Sequence, residues 1–334
     1  MKNLSLIVLN YNGLSHLKEY FNSVFEQTLV PNEVFMLDNC STDGSQDFVK
    51  KYYPEVKIFK NKFNAGTAQG SNIAFTKTSG KFVIFQSNDI RLDKNCVKEL
   101  YQFLQEHDDV GIVTSVLLNY YTYKESGKKI IDNAGGIADI FGFGMQNYPA
   151  KNLKNIPSSG EAFFSYGGSF IIKRELWNKV SGFDQRYFTL NDDLDLSWRV
   201  RLLGYKVMYT KKSFIYHKVS ATLRVVFDRP TKHYWSERNF MRTFLKNTSN
   251  KHLLLIFPLY FLLLLAEIIF LTSRGKFALA FSDVKAILWN IFYLPETISM
   301  RLKVQSNKKP NNVWSLLIKS SLKLHLFKEF SKTI

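Results

Sequence analysis

Four short apolar runs near the start of the chain each end in residues able to bind a polar ligand or a metal ion. These polar ends are Asn10-Tyr11-Asn12-Gly13, Asp38-Asn39-Cys40-Ser41, Asn64-Ala65-Gly66 and Ser87-Asn88-Asp89. Carboxylates and amides bind hard cations and polar groups, a Tyr ring stacks on flat ligands, and Gly allows close backbone approach. Turns are made of the same residue types, so any one of the four has an ordinary explanation. Four of them together predict a ligand site.

A second candidate for chemistry is the acidic cluster Asp192, Asp193 and Asp195, at the start of a predicted helix over Asn191–Leu203. Acidic residues at a helix N-terminus are favoured by the helix dipole, so a cap is the simple interpretation. Three carboxylates within four positions exceed what a cap needs. The cluster is therefore a candidate for acid–base chemistry or for binding a cation.

The elements that must position these residues alternate between strands and helices over the first 120 residues. Strand, polar turn and helix recur, which is typical of parallel βαβ units in an α/β fold. Ligands bind such sheets at the carboxyl ends of the strands, where all four polar turns fall. Residues 110–165 are Gly-rich and Tyr-rich without a clear period, and we expect loops and short strands there. A strand over Gly167–Ile172 and a helix over Arg174–Val180 follow.

Charge divides the chain in two. Residues 1–200 carry 22 basic and 22 acidic side chains, whereas residues 201–334 carry 23 and 6, so the net charge of +17 belongs to the last part. Such an excess indicates an anionic partner, either a lipid surface or a nucleic acid. We expect two modules, 1–225 for the site and 226–334 as a basic, apolar, helical membrane-association region.

The C-terminal module contains an apolar run, His252–Leu271, which is long enough to cross a bilayer. Pro258 and Glu267 lie inside it and count against a simple span. The later segments Phe277–Arg301 and Val313–Phe330 mix apolar residues with recurring Lys, which suits helices lying in the headgroup plane. We favour this peripheral attachment over a span, and a buried helical bundle is the remaining alternative.

Several classes of protein are excluded by motifs. The chain has neither the spacing of a dinucleotide fingerprint nor that of a Walker loop, and its two cysteines, Cys40 and Cys96, form no zinc-type cluster. Two distant cysteines also indicate no disulfide framework. The N-terminal apolar run ends at Asn10, too soon for a signal-peptide core, so we expect the N-terminus to stay in the cytosol.

Eight pieces of the chain, taken in order, resemble the family 2 glycosyltransferases of the GT-A fold, in particular the rhamnosyltransferase-like branch that builds bacterial surface polysaccharides. The pieces are LSLIVLNYNG, VFMLDNCSTDGS, NAGTAQGSN, GKFVIFQSND, GGSFIIKRELW, GFDQRYF, NDDLDLSWRVRLLGYK and FIYHKVSAT. The resemblance runs from about Leu4 to the end of the chain. It implies a Rossmann-like, mixed, mostly parallel sheet flanked by helices, followed by a C-terminal α-helical region.

The resemblance also implies roles for particular residues. The general base is expected to be Asp193, with Gly168, Asp192 and Asp195 on the acceptor side; Asp192 stands where the family usually has Glu. A divalent ion, Mg2+ or Mn2+, is expected on Asp89 and His217, although Ser87 replaces the usual first residue of the aspartate motif and a lone His is often structural. The residues expected to bind the nucleotide sugar are Asn10, Tyr11, Asp38, Asn39, Asn64, Gly66, Asn72 and Asn88.

The implied function is an inverting transfer of a sugar, with rhamnose as first candidate, from a UDP or dTDP sugar to a hydroxyl of a glycan or polyprenyl-linked acceptor. The implied location is the cytoplasmic face of the cell membrane, on an anionic surface. A polyprenyl-phosphate sugar synthase is an alternative, but such enzymes usually have paired spans. A basic nucleic-acid-binding protein is another, but it leaves the apolar C-terminal residues unexplained, so we expect no nucleic acid partner.

Overall fold

A computed structural model describes residues 3–218, 227–310 and 312–324. By their contacts the residues form two compact units. The first comprises Met1–Gly136, Gln146–Arg201 and Tyr205–Val225, and the second comprises Ile137–Met145, Leu202–Gly204 and Val226–Ile334. The predicted boundary between residues 225 and 226, and the last four residues of the piece FIYHKVSAT, lie outside the described residues.

A mixed, mostly parallel sheet forms the centre of the first unit. The strands of the described chain, in order, are β1 Leu4–Asn10, β2 Glu33–Asp38, β3 Lys57–Lys60, β4 Phe82–Ser87, β5 Ile90–Leu92, β6 Val110–Asn119, β7 Ile131–Asn133, β8 Gly136–Ala138, β9 Gly144–Gln146, β10 Ser159–Glu161, β11 Ser169–Lys173 and β12 Lys206–His217. Along the sheet the order is β10-β12-β6-β11-β4-β1-β2-β3, with β5 beside β12 and β7 beside β6, whereas β8 and β9 pair separately.

The first half of this sheet is parallel, as the strand–turn–helix repetition predicts. β1 runs parallel to β2 and β4, and β2 runs parallel to β3. β11 is antiparallel to β4 and β6, and β12 is parallel to β6. The carboxyl ends of β1, β2 and β4 therefore share one edge, where three of the polar turns meet.

Helices cover the sheet because a parallel sheet must bury both of its faces. They are α1 Leu14–Phe25, α2 Ser45–Tyr52, α3 Gly66–Thr76, α4 Cys96–Glu106, α5 Tyr120–Ser126, α6 Arg174–Val180 and α7 Asp192–Leu202. In α1 the predicted apolar stripe, Leu17, Tyr20, Phe21 and Val24, is fully buried against the strands. The predicted α/β fold class is confirmed.

The prediction of loops and short strands over residues 110–165 is wrong at its start. β6 is a ten-residue strand with nine buried residues, packed between β12 and β11. The hydroxyl groups of Thr114 and Ser115 interrupt its apolar pattern, yet both are bonded inside: Thr114 Oγ1 lies 3.0 Å from the Ser169 carbonyl oxygen, and Ser115 Oγ lies 2.8 Å from Ser213 Oγ. Because these buried hydroxyl groups are hydrogen-bonded, polar residues are tolerated inside β6, and the apolar pattern of the sequence does not reveal the strand.

The second unit is helical. Its helices are α8 Arg229–Asn247, α9 Asn250–Ser273, α10 Phe277–Phe292 and α11 Leu294–Ser306. The predicted helical segment Phe277–Arg301 is thus two helices, which meet at a 67° bend next to Pro295. The segment Val313–Phe330 is not a regular helix in its described part, which begins with a short 3-10 turn, Val313–Leu316; residues 325–330 lie outside the described chain.

α9 is the one helix among the described residues that is long and apolar enough to cross a membrane, and α10 with α11 would make a second, bent candidate. A narrow stripe of α9 is buried, namely Tyr260, Leu264, Glu267 and Leu271. Leu254, by contrast, is 79% exposed and Ile269 is 69% exposed. Among the described residues most of the helix surface is apolar and uncovered, which counts against the alternative of a buried bundle.

Candidate active site

The ends of β1, β2 and β4 hold a buried network of amides and carboxylates. The register places Asn10 beside Asp38, and Asn10 Nδ2 donates to Asp38 Oδ2 at 2.9 Å. Asn88 Nδ2 donates to Asn10 Oδ1 at 2.5 Å. A Cβ at Gly13 would lie 2.0 Å from Asn88 Nδ2, so only glycine fits beside this network. Three predicted nucleotide residues are therefore in contact, and Tyr11 follows them at the strand end, half-buried.

The loop before α3 closes over the neighbouring strand end. Asn39 Nδ2 donates to the Gly66 carbonyl oxygen at 3.0 Å, and Gly66 N donates to Asn64 Oδ1 at 2.9 Å. Gly66 has a φ of +71°, and a Cβ there would lie 2.1 Å from the Phe188 carbonyl oxygen. The glycine is required both by its conformation and by this close approach. Asn39, Asn64 and Gly66 thus form one unit beside Asp38, as the sequence predicts for a ligand loop.

Asn72 lies on α3, away from these loops, and both of its polar atoms hold another segment. Its Nδ2 donates to the Phe183 carbonyl oxygen and its Oδ1 accepts from Phe183 N, each at 2.9 Å. The amide is therefore occupied in fixing the loop that precedes α7. Its predicted contact with a nucleotide stays a prediction, whereas its positioning contact is observed.

The two predicted metal ligands come together from distant parts of the sheet. Asp89 follows β4, and His217 ends β12, opposite Ile90 of β5. Their nearest ligand atoms, Asp89 Oδ2 and His217 Nε2, lie 3.8 Å apart, and both residues are buried. The other ring nitrogen, Nδ1, lies 3.0 Å from Asp132 Oδ2 on β7. Carboxylate and imidazole form a donor set that divalent ions accept.

Ser87, at the first position of the aspartate motif, is also suited to a bound ion or ligand. Its hydroxyl oxygen is buried, and within the described part of the chain it makes no hydrogen bond. Buried polar atoms in proteins are nearly always paired, so an unpaired one next to Asp89 indicates a group supplied from outside the chain. The residues present therefore fit a divalent ion.

The acidic cluster at the start of α7 holds the predicted base. Asp193 Oδ2 accepts a hydrogen bond from Gly167 N at 2.9 Å, and Oδ1 accepts one from Leu194 N at 2.8 Å. Burial, and next the negative charge of Asp192, raise the pKa of Asp193 to about 7. Asp192 Oδ2 accepts from Thr67 Oγ1 at 2.7 Å, and burial raises the pKa of Asp192 as well. A carboxyl group with a pKa near neutrality is suited to exchange protons.

Asp195, predicted on the acceptor side, makes its observed contacts inside the protein. Its side chain is fully buried, and Arg199 Nε donates to its Oδ2 at 3.0 Å. The same guanidinium holds the Val180 and Gly182 carbonyl oxygens through Nη1, at 2.5 and 2.8 Å. Asp195 and Arg199 are one turn apart and serve to fix α7 to the segment before it. The observed role of this carboxylate is structural, and its predicted place on the acceptor side stays a prediction.

Tyr166 connects the two halves of the site and is missed by the sequence analysis. Its ring packs edge-on against His217, with centroids 5.9 Å apart. Burial raises its pKa, and the charges of Asp132, Asp193, Asp89 and Asp192 raise it further. Gly168, predicted on the acceptor side, lies two residues further on, and its carbonyl oxygen accepts from Ser87 N at 3.2 Å.

The cationic side chain of Lys218 and the imidazole of His16 also lie near Asp89, and neither was predicted. Lys218 Nζ lies 3.5 Å from His16 Nδ1 and 2.7 Å from Glu19 Oε2. Burial lowers the pKa of His16, and the Lys218 ammonium lowers it further, while Asp89 and Glu19 act in the opposite direction. The position of Lys218 directly after His217 is the one sequence signal that could have indicated it. Asp132 and Tyr166 fall in the irregular region, where no motif distinguishes them.

The chain is similar in sequence to known glycosyltransferases. The family described as Glycosyl transferase family 2 matches residues 5–180. The glycosyltransferase GlyG of Streptococcus pneumoniae is 27% identical over 67% of this chain and 74% of its own length. The O-antigen chain rhamnosyltransferase WbaN of Salmonella anatum is 24% identical over 69% and 70%. N-acetylglucosaminyl-diphospho-decaprenol L-rhamnosyltransferase of Mycobacterium tuberculosis is 24% identical over 71% and 83%.

Solved structures with the same fold have low sequence identity. GalNAc-T7 with UDP, GalNAc and Mn2+ superposes with a TM-score of 0.56 at 17% identity, over 72% of this chain and 47% of that one. The mannosyltransferase PcManGT of Pyrobaculum calidifontis with GDP-Man and Mn2+ gives 0.53 at 15% identity, over 86% and 87%. TarS 1-349 of S. aureus with UDP-GlcNAc gives 0.51 at 17% identity, over 74% and 67%. These likenesses place the first unit in the GT-A fold.

Proposed function

The chain belongs to glycosyl transferase family 2, and from that premise we propose that it is an inverting, divalent-metal-dependent glycosyltransferase. It moves a sugar from a nucleoside diphosphate sugar to a hydroxyl of a lipid-linked or cell-surface glycan. The observation that carries the proposal is a pair of hydrogen bonds at adjacent residues: Gly167 N donates to Asp193 Oδ2 at 2.9 Å, and the Gly168 carbonyl oxygen accepts from Ser87 N at 3.2 Å. Two neighbouring residues thus join the proposed base to the Ser87-Asn88-Asp89 motif, and a reaction between an acceptor and a diphosphate requires the base and the ion-binding carboxylate in one site.

Asp193 is the general base of this mechanism. The acceptor oxygen forms a bond to the anomeric carbon while the bond from that carbon to the diphosphate oxygen breaks, and the hydroxyl proton passes to the Asp193 carboxylate. One displacement of this kind inverts the anomeric configuration. The Gly167 and Leu194 amides orient the carboxylate. Burial keeps its pKa near 7, so that it accepts a proton readily without being permanently protonated.

Asp89 and His217 would hold the divalent ion, with Ser87 next to them. When bound, such an ion supplies positive charge to a diphosphate leaving group. GalNAc-T7 and PcManGT were both solved with Mn2+ beside a nucleotide or nucleotide sugar, which supports Mn2+ or Mg2+ here. Lys218, whose backbone N donates to the Asp89 carbonyl oxygen at 3.0 Å, adds positive charge on the same side.

The donor is proposed to be a pyrimidine nucleotide sugar, UDP or dTDP linked, with dTDP-rhamnose as the first candidate. WbaN and the M. tuberculosis relative are named as rhamnosyltransferases, and TarS was solved with UDP-GlcNAc. The half-buried Tyr11 is the proposed stacking surface for the base, beside the Asn10, Asp38 and Asn88 network. The acceptor class is supported by the M. tuberculosis relative, whose name specifies a diphospho-decaprenol substrate.

The second unit is proposed to attach the enzyme to the cytoplasmic face of a membrane. Its apolar side chains on α9, including Leu254, Leu262 and Ile269, are exposed in the part of the unit that the structure describes. Basic residues dominate the same part of the chain, where 23 basic and 6 acidic side chains follow residue 200. Apolar surface together with positive charge is the combination that an anionic leaflet binds.

A panel of nucleotide sugars tests the proposal. The purified protein is heated with UDP-GlcNAc, UDP-Glc, dTDP-rhamnose or GDP-Man, with and without Mn2+. A ligand present at about 100 times its Kd stabilises the folded state by about 2.7 kcal/mol, which raises Tm measurably. We expect one pyrimidine sugar to raise Tm only with Mn2+ present. Stabilisation by none of them, or equal stabilisation in chelator, would contradict the proposed donor site.

A further inference from the structure

His217 is held in place by Asp132, a residue that belongs to none of the eight matched pieces of sequence. Asp132 lies on β7, which pairs with one edge of β6. His217 lies at the end of β12, which pairs with β6 as well. Asp132 Oδ2 lies 3.0 Å from His217 Nδ1. The imidazole is 5% exposed and the carboxylate 23% exposed, so the contact is made at the inner edge of the site.

This contact determines which ring nitrogen carries the proton. An ionised carboxylate has no proton to give, so Nδ1 must be the N–H that donates to Asp132. In a neutral imidazole the lone pair then belongs to Nε2. Nε2 lies 3.8 Å from Asp89 Oδ2, beyond hydrogen-bond distance. The lone pair is thus next to the carboxylate that is the other proposed ion ligand.

We propose that Asp132 is a positioning residue, which keeps His217 in the Nδ1–H tautomer so that Nε2 is available, together with Asp89, to hold a divalent cation. The inference rests on the proposed ion site and adds to it a residue that acts through His217. Carboxylate partners of this kind fix ring orientation and raise the basicity of the ligating nitrogen, and their loss costs about 10- to 100-fold in metal affinity. Tyr166 also packs edge-on against the ring, with centroids 5.9 Å apart.

Mn2+ binding to the full chain, without nucleotide, provides a readout that does not depend on activity. Free Mn2+ is followed by its electron paramagnetic resonance signal during titration of wild type, Asp132→Ala, Asp132→Asn and His217→Ala. We expect Asp132→Ala to weaken binding about 10- to 100-fold. Asp132→Asn should lose less Mn2+ affinity, because the amide oxygen still accepts a hydrogen bond from His217 Nδ1–H. Asp108→Ala is the matched control, since that carboxylate is 98% exposed on the surface.

A double variant separates positioning from a merely structural role. If Asp132 acts through His217, then Asp132→Ala should have no further effect on Mn2+ affinity in a His217→Ala background. An equal loss in both backgrounds, or an unchanged affinity of Asp132→Ala, overturns the inference. If wild type itself binds no Mn2+, the proposed ion site fails, which is a distinguishable result.

The tautomer can be observed directly in the protein without metal. Long-range 15N–1H correlation spectra distinguish Nδ1–H from Nε2–H rings, and the His217 signals are assigned by their absence in His217→Ala. We expect the Nδ1–H pattern in wild type and in Asp132→Asn, and a mixture of tautomers in Asp132→Ala. An Nε2–H pattern in wild type would overturn the inference, whatever the Mn2+ titrations give.

Discussion

The residues of α7 illustrate how environment assigns different roles to three neighbouring carboxylates. Asp195 is fully buried and paired with Arg199, so it supports the helix. Asp192 accepts a hydrogen bond from Thr67, and its negative charge raises the pKa of Asp193. Asp193 is half-buried and oriented by two backbone amides, and its pKa is raised to about 7 by burial and then by the charge of Asp192. One helix turn therefore contains a carboxylate that supports the helix, one that raises the pKa of its neighbour, and the proposed base.

The pH dependence of transfer follows from this arrangement. Because the pKa of Asp193 is raised to about 7, the carboxylate is protonated below that pH and cannot accept a proton. We expect kcat/KM to rise with pH through about 7 and then to level off. Asp192→Asn removes a negative charge that raises the pKa of Asp193. The rising part of the kcat/KM profile of this variant should therefore move to lower pH. An unchanged pH profile in Asp192→Asn would contradict the effect of the Asp192 charge on Asp193.

The ion site makes a separate prediction. Asp89→Ala should abolish Mn2+-dependent donor binding, because the neighbouring Ser87 supplies no carboxylate that could take over. His217→Ala should weaken Mn2+ binding less, since the anionic ligand remains. Isothermal titration with the donor found in the stabilisation panel measures both, and Asp108→Ala serves as the control. Transfer that continues at full rate in chelator would show that no ion is needed.

At the scale of elements, the sequence predicts features that depend on neighbouring residues, such as the turns that follow strands. The turns after β1, β2 and β4 are detectable because Asn, Asp and Gly follow short apolar runs, and the parallel register then brings them together. Asp132 and β6 are not detectable in this way, because their contacts join residues far apart in the chain. His217 Nδ1 and Asp132 Oδ2, 85 positions apart, meet only through the order of strands in the sheet.

α7 itself provides a stability test. Asp195→Ala leaves the Arg199 guanidinium buried without its carboxylate, and breaking a buried pair from one side typically costs about 3–5 kcal/mol. We expect a fall of that size in the free energy of unfolding of the first unit, measured by urea titration with tryptophan fluorescence. The double variant Asp195→Leu with Arg199→Leu should recover much of the loss. A single variant as stable as wild type would contradict the supporting role.

At the scale of the whole molecule, charge and apolar surface belong to the C-terminal part of the chain. The sequence argument against a span relied partly on Glu267, which would have to be accommodated in lipid. In the structure Glu267 lies in the buried stripe of α9 and pairs with Lys323, which also pairs with Glu237 at 2.5 Å. The acid is therefore satisfied inside the second unit and does not count against burial of the outer face of α9 in a bilayer.

Membrane attachment is tested on that outer face. Leu255 and Leu262 are about 60% exposed, and replacing both with Glu should sharply reduce cosedimentation with vesicles containing phosphatidylglycerol. Thr272→Glu, on the same helix at an exposed polar position, is the control. Wild type released from cell membranes by high salt or carbonate would be peripheral, and wild type retained through both washes would be inserted. Unchanged vesicle binding by the double variant would rule out α9 as the contact.

The central claim is that Asp193 drives a single inverting displacement, and the most direct measurement is the anomeric configuration of the product. Transfer from the donor found in the stabilisation panel, to a short lipid-linked glycan in the presence of Mn2+, is followed by NMR spectroscopy. We predict a product of inverted configuration, released together with nucleoside diphosphate. We also predict that Asp193→Asn slows transfer by about 10^2- to 10^4-fold while donor affinity is nearly unchanged. Retained configuration, or an Asp193→Asn variant with most of its turnover, would contradict the account.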